Sequence, residues 1–275
     1  MSSRNQWFQR VVTLKTNRKK RWHHHQFVVE GVRSINQLRG NGRWQVAAIL
    51  YAHNERLSGW ASDVLDEVPA AHHLEVDSVL MAELSDKEDT SELIAVVDMP
   101  QVDGLQLTLG SHDVALVLDR PGNPGNLGSI LRSCDAFGVR GGVVIVGHGV
   151  DPFDPVVVRA SAGSFFNVAI SRLQSKGDLQ EWIARVKEAL PDLQVVGTSA
   201  AGTMPPWDCD FARPTILVMG NETQGLSAWL KECCDSLLRI DMQGAASSLN
   251  LACATTAFLY EAHRQRGGGA GYRRP

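Results

Sequence analysis

The sequence predicts an α/β protein in two parts, a smaller N-terminal α/β domain and a larger domain built on a parallel sheet with helices on both faces. Three observations carry that reading. From about residue 113 onward, short and wholly apolar runs alternate with helical stretches. Strands this apolar are covered on both faces, which is the usual setting of a parallel sheet. The chain has 275 residues, more than the ~150 typical of one domain. Finally, charge is partitioned along it. Residues 1–44 hold ten Lys/Arg against Glu30 alone, residues 45–110 hold Arg56 and Lys87 against thirteen Asp/Glu, and the rest is close to neutral, for a formal net charge of −3.

Taken in order, residues 1–25 read as a basic polar arm, with Arg4, Arg10, Lys15, Arg18, Lys19, Lys20 and Arg21 in it. Phe27, Val28 and Val29 form a short strand, Gly31 turns the chain, and Val32, Ile35 and Leu38 recur at helical spacing up to a stop at Gly40. Buried strands are expected at 45–52 and 92–100, with an amphipathic helix near 60–68 and an acidic stretch around 82–92 between them. Residues 101–111 read as a linker or crossing strand. The apolar strands of the larger domain fall at 114–119, 142–147, 193–199 and 215–220. Helices are expected at 126–138, 154–162, 178–190, 225–234 and 247–264, with Asn126, Asp154 and Ser227 at cap positions. The domain boundaries implied are 1–25 for the arm, 26–106 for the smaller domain, 107–266 for the larger, and 267–275 for a Gly-rich disordered tail.

Composition removes several classes. The chain is 44% hydrophobic and 21% charged, an ordinary globular balance. No apolar run reaches the ~18 residues that span a bilayer, and the basic N-terminus lacks the apolar core of a secretory signal. Cys134, Cys209, Cys233, Cys234 and Cys253 show no C-x-x-C pairing, which fits a reducing cytoplasm and argues against a zinc site. Consecutive His23, His24 and His25 diverge from one another and make a poor chelate, so they are assigned to an exposed basic loop and no metal is expected. Neither dinucleotide nor triphosphate glycine fingerprints occur, which sets aside a nicotinamide enzyme. The basic N-terminal segment suits a polyanion, since each cation that meets a phosphate releases counterions. Charge alone leaves it open to be a solvated arm.

Three segments near strand ends concentrate polar groups. In 121–138, Asn126 opens a helix and Arg132 follows six residues on, with Gly128 between them. In 217–227, Gly220 and Gly225 bracket Asn221, Glu222, Thr223 and Gln224 directly after an apolar strand. Ligands of open α/β sheets bind beyond the carboxyl ends of strands, so this loop is well placed. In 237–261, a short strand reaches Met242, and Ser247, Ser248 and Asn250 begin a helix of small and apolar residues. Either serine could serve as a plain N-cap, and which of the two acts in a site stays open.

Together the three segments resemble the motifs of the SpoU (TrmH-like) branch of the SPOUT RNA 2′-O-methyltransferases, over about residues 113–266. Asn126, Gly128 and Arg132 match the first motif. Gly220, Glu222, Gly225 and Leu226 match the second, and Ile240, Met242, Ser248, Leu249 and Asn250 the third. The chain departs from the family's usual Ile-Pro-Met with Ile240-Asp241-Met242, placing a charge beside the loop. The stretch 27–40 is more loosely similar to the opening of the ribosomal-protein-like substrate domain that many members carry.

The resemblance implies a deep trefoil knot in the larger domain and S-adenosylmethionine as cofactor, with Thr198, Leu217, Gly220, Asn221, Gly225, Ile240, Met242, Ser248 and Leu249 around it. It implies methyl transfer to a ribose 2′-hydroxyl, with Asn126, Arg132, Glu222, Ser248 and Asn250 as catalytic residues and no metal. Most of the rate then comes from holding nucleophile and methyl ~3–3.5 Å apart and in line. A guanidinium is a poor base at neutral pH, so Arg132 is read chiefly as a clamp on phosphate and ribose. Members are dimers whose arginine can reach the partner's site. The basic residues Arg4, Arg10, Lys15, Arg18, Lys19, Lys20, Arg21 and Arg33 would then hold structured RNA, recognised by shape and 2′-hydroxyls. The separate N-terminal domain favours ribosomal over transfer RNA. A non-catalytic RNA-binding protein with the same fold is the competing reading, which the presence of all five motif residues opposes.

Overall fold

The computed structural model describes residues 3–39, 42–53, 55–86, 89–100 and 107–267. The expected stop at Gly40, the crossing stretch 101–106 and the tail from 268 lie outside them. The chain divides into two units, one of residues 1–101 together with 151–166, the other of 102–150 together with 167–275.

The first unit is built on a four-stranded mixed sheet in the order β1-β4-β2-β3, from β1 (Gln26–Glu30), β2 (Val46–Ala52), β3 (His73–Val76) and β4 (Leu93–Asp98). β4 runs antiparallel to β1 and β2, and β3 lies parallel to β2. Its helices are α1 (Gln6–Thr16), α2 (Arg18–His24), α3 (Val32–Asn36), α4 (Gly59–Glu67) and α5 (Ser78–Leu84). The expected arm is thus two helices. Asn5 caps α1 by accepting from the amides of Trp7 (3.0 Å) and Phe8 (3.2 Å). Phe8, Val11 and Leu14 recur at helical spacing and are buried with Val28, Leu50, Met81, Leu84 and Val96 on one face of the sheet. That spacing lay in the sequence beneath a dense overlay of cations. Asn17 then caps α2 through Lys20 N (3.1 Å), and His23 and His24 end that helix and form no loop.

Strand β1 alternates its side chains, so Phe27 faces away from α1. It meets an aromatic cluster of Trp44, Phe153, Phe165 and Phe166, with ring centroids 5.1–6.5 Å from its own. Three of these rings come from the segment 151–166, which carries α7 (Pro155–Ala160). Arg21 is buried and ties the same segment down, its Nε donating to Asp151 at 2.7 Å and Nη2 to Asp154 at 3.2 Å. The expected boundary at 106/107 therefore does not separate the packing units, because the first needs side chains from beyond it.

The second unit is a six-stranded, wholly parallel sheet in the order β10-β8-β9-β5-β6-β7. Its strands are β5 (Val114–Asp119), β6 (Val143–Val146), β7 (Ile170–Leu173), β8 (Gln194–Thr198), β9 (Thr215–Met219) and β10 (Ser236–Leu238). The helices are α6 (Pro124–Ala136), α8 (Lys176–Ala189), α9 (Ala228–Glu232) and α10 (Leu251–Gln265). One face of the sheet packs Val117, Val144, Val195, Ile216 and Val218 against Leu179, Trp182, Leu226 and Leu230. Two of the expected caps move. Asn123, not Asn126, caps α6 by accepting from Asn126 N (3.0 Å). Asn250, not a serine, caps α10 by accepting from Ala252 N (2.8 Å) and Cys253 N (3.4 Å), so residues 247–250 remain a loop. Strand order reverses at β5 and β9, and the loops leaving the carboxyl ends of β5, β8, β9 and β10 converge there, the usual position of an α/β ligand crevice.

Candidate active site

The turn after β9 is fixed by its backbone. Asn221 and Gly225 exchange two backbone hydrogen bonds of 3.0 Å, and Asn221 Oδ1 accepts from the amides of Thr223 and Gln224. A Cβ on Gly220 would lie 2.4 Å from the Gly225 carbonyl carbon, so no side chain fits there. Gly225 sits at φ 65°, the left-handed region that favours glycine. Asn221 Nδ2 also donates to the Arg120 carbonyl at 2.8 Å, lashing this turn to the end of β5.

Glu222 ties the turn to the start of α6. Its carboxylate accepts from Gly122 N (2.9 Å), Asn123 N (3.2 Å) and Asn126 Nδ2 (3.1 Å). Burial pushes this carboxyl up, but the donated hydrogen bonds outweigh it and hold Glu222 below the usual carboxylate range. It also sits at a helix N-terminus, where negative charge is favoured. Asn126 Oδ1 in turn accepts from Asn250 Nδ2 at 3.0 Å. One continuous chain of hydrogen bonds, Glu222–Asn126–Asn250, thus joins the three polar segments, and a Ser133–Thr256 hydroxyl pair (2.6 Å) stitches α6 to α10 farther along.

Beside this chain lies a cavity of about 380 Å³, within the range usual for small-ligand sites. Thr198, Gly220, Asn221, Gly225, Ile240, Met242, Ser248 and Leu249 all line it. Leu217 does not: it is fully buried within β9, one of the central strands, and faces the core. A second hollow shares Asn221, Glu222, Thr223, Ser248, Leu249 and Leu251 with the first and adds Gly122, Asn123, Asn126 and Asn250. Ser247 lines only the first cavity and Ser248 lines both. Asp241 is neutralised by Arg239 Nε at 2.8 Å. Among the described residues no group of three or more His, Cys, Asp or Glu could hold a metal ion, and no helix is long and apolar enough to cross a membrane.

The SpoU rRNA Methylase family model matches residues 113–260. The chain belongs to the SpoU family. A model described as the SpoU L30e-like domain matches residues 5–95. A 23S rRNA (uridine(2479)-2′-O)-methyltransferase of Streptomyces viridochromogenes is 40% identical over 267 residues, spanning 97% of this chain and 92% of that protein. The crystal structure of the SpoU methyltransferase AviRb from the same organism, in complex with the cofactor AdoMet, superposes with a TM-score of 0.90 at 41% identity, covering 97% of this chain and 100% of that one. An AdoMet-bound rRNA methyltransferase from Sinorhizobium meliloti gives 0.83 at 29% identity, over 96% and 97% of the two chains.

Within this SpoU chain, Asn126, Glu222, Ser248 and Asn250 come together, and Arg132 does not join them. It is exposed on α6, lines neither cavity, and lies six residues beyond Asn126, about 9 Å along the helix axis. The expected RNA-binding cations also divide. Arg21 is buried, Lys15 is engaged by Asp86 at 2.8 Å and by the Leu84 carbonyl, and Arg4 makes a two-pronged pair with Glu83. Arg10 donates to Gln26 at 2.9 Å. Arg18, Lys19, Lys20 and Arg33 are exposed. Sequence reasoning missed Asp119 and Arg120. Buried Asp119 accepts from Ser227 N (2.7 Å) and from Arg120 Nε (2.8 Å), while Arg120, at φ 47°, donates to Gln224 at 2.9 Å. An acid closing an otherwise apolar strand was the available signal.

Proposed function

We propose that this chain transfers a methyl group from S-adenosylmethionine to a ribose 2′-hydroxyl of ribosomal RNA. The observation that carries the reading is the Glu222–Asn126–Asn250 chain, which gathers three distant motif segments against the wall of one cavity. The cavity suits the cofactor: main chain of the turns at 199–200 and 220–225 offers polar edges for a base. Met219, Leu226, Leu238, Ile240 and Met242 offer apolar contact for its faces and for a thioether. When bound, S-adenosylmethionine supplies an electrophilic methyl whose transfer leaves a neutral thioether. The RNA class follows the two similar proteins named for ribosomal RNA.

The residues divide the work by chemistry. Glu222, already accepting four donated hydrogen bonds besides that of its own amide, holds Asn126 and the start of α6 in place and takes no proton. Ser248, on the edge shared by the two hollows, presents a hydroxyl with no partner among the described residues to an incoming ribose. Arg132 presents its planar guanidinium fork to phosphate and ribose and clamps them. Since it stands away from its own chain's cavity, it acts across a homodimer, on the partner's site. Support comes from the position of Arg132 on the exposed side of α6, beside α10, whose exposed Tyr260 and Leu249 just before it await cover. The trefoil knot is supported by the path of the chain: β10 is an edge strand beside β8, yet after residues 239–250 α10 packs on α6 from the β5–β6 crossover. Such an enzyme would work in the cytoplasm, where ribosomal RNA is.

The test is transfer of labelled methyl into ribosomal RNA. The unsubstituted chain labels RNA, with the product a 2′-O-methyl nucleotide. Arg132→Ala loses labelling by about 10²-fold or more while binding the cofactor normally, and mixing it with a cofactor-site variant restores part of the activity through heterodimers. Cofactor binding without RNA labelling would favour a non-catalytic binder.

A further inference from the structure

A methyl donor of this type carries a carboxylate at the end of its amino-acid arm, and the cavity has few charges to meet it. Among the described residues, three charged side chains line it: Glu222, Lys231 and Arg239. Glu222 is of the wrong sign, and its oxygens are already taken by Gly122, Asn123 and Asn126. Arg239 spends its Nε on Asp241, two residues away, at 2.8 Å, and its backbone amide on the Met204 carbonyl at 2.9 Å. Lys231 has neither a hydrogen bond from its ammonium nor an ion pair among the described residues. The nearby acids are used by other lysines: Glu232 faces Lys176 at 3.6 Å and Asp235 faces Lys187 at 3.2 Å.

The helix that carries Lys231 is well anchored. Its neighbour Leu230 is fully buried in the sheet core with Leu226, and the Lys231 amide bonds the Ser227 carbonyl at 3.1 Å. The stem is therefore fixed at the cavity wall while the ammonium remains available. We propose that Lys231 is the carboxylate anchor of the cavity, the side chain that reads the amino-acid arm of the methyl donor, an inference that rests on the methyl-donor reading above. Pairing an ammonium with a carboxylate there forms a charge-assisted hydrogen bond, stronger than a neutral one.

The test is calorimetric binding to the full chain, without RNA, of two nucleosides that share adenosine and sulfur. S-adenosylhomocysteine carries the amino-acid arm, whereas 5′-methylthioadenosine lacks it. Lys231→Met should weaken S-adenosylhomocysteine by about 10- to 100-fold and leave 5′-methylthioadenosine unchanged, and Lys231→Arg should restore most of the loss. Equal weakening of both nucleosides, or no change in either, overturns the assignment. In a separate filter-binding measurement with ribosomal RNA, a loss of affinity on Lys231→Met with both nucleosides unaffected also overturns it and would make Lys231 a phosphate contact. If the unsubstituted chain binds neither nucleoside, the methyl-donor reading itself falls, a result distinct from failure of Lys231 alone.

Discussion

Glu222 is better suited to accept hydrogen bonds than to accept a proton. Its folded pKa is depressed, so its stabilising contribution is in force above the ordinary carboxylate value and is lost as pH falls through the lower folded one. Thermal melts should respond to this group only in acid, below the ordinary value of about 4.3, and Glu222→Gln should flatten that acid limb. The same substitution should lower kcat by about 10²-fold through misplacement of Asn126 while leaving the neutral pH–rate profile unshifted. Disappearance of a titrating limb near neutrality would make Glu222 the base instead. His24 gives a second residue-scale test. Partial burial, then Arg10, His23 and Lys20, push its pKa down from 6.5, so it is neutral at pH 7. A phosphate set among those cations would favour the protonated ring, and RNA affinity should therefore rise as pH falls toward 6 and below. Filter binding across pH 5.5–8 checks this, and His24→Ala should remove the extra slope.

At the scale of the element, the decisive piece is the turn joining β9 to α9. Gly220 and Gly225 meet so closely that Gly220→Ala has to displace backbone, not a flexible side chain. We expect a loss of about 1–3 kcal/mol in unfolding free energy and cofactor binding too weak to measure, whereas Gly138→Ala, at φ 69° in open space beyond α6, should cost stability without touching cofactor affinity. Equilibrium dialysis beside chemical denaturation separates the two effects. This turn was legible in the sequence because glycines at fixed offsets after an apolar strand leave few alternatives. The start of α10 was less so. Ser247, Ser248 and Asn250 are all good caps, and it is Asn250 that accepts from Ala252 and Cys253, its side chain held by a second bond to Asn126, 124 residues away. Arg132 was legible as a motif member, but its distance from the pocket follows from helical geometry, which sets it six residues beyond Asn126 on α6 and outside both cavities. Leu217 lies on the same face of β9 as Met219, which lines the cavity two residues farther on, and a fully apolar strand does not mark how far along it the cavity begins.

At the scale of the whole molecule, the sequence marked the change of rhythm near residue 110 and the six-stranded sheet's main strands, yet the packing units are not consecutive. The segment 151–166 leaves the parallel sheet after β6 and completes the core of the first unit with Phe153, Phe165 and Phe166. No local pattern announces this, because an apolar run such as Phe165-Phe166 reads the same wherever it is buried. Its polar lock is Arg21, with both Arg21 and Asp151 about 3% exposed. Removing one partner of such a pair strands a buried charge, so Arg21→Met should destabilise by about 3–5 kcal/mol, far more than removal of exposed Lys19 or Lys20 from the same helix. A fragment ending at residue 106 lacks both the aromatic rings and Asp151. It should show the far-ultraviolet signature of its helices without the near-ultraviolet signature of packed Trp44, and bind a hydrophobic dye. A fragment that instead melts cooperatively, with a native-like aromatic spectrum, would mean that the segment 151–166 is an accessory to the first unit and not part of its core.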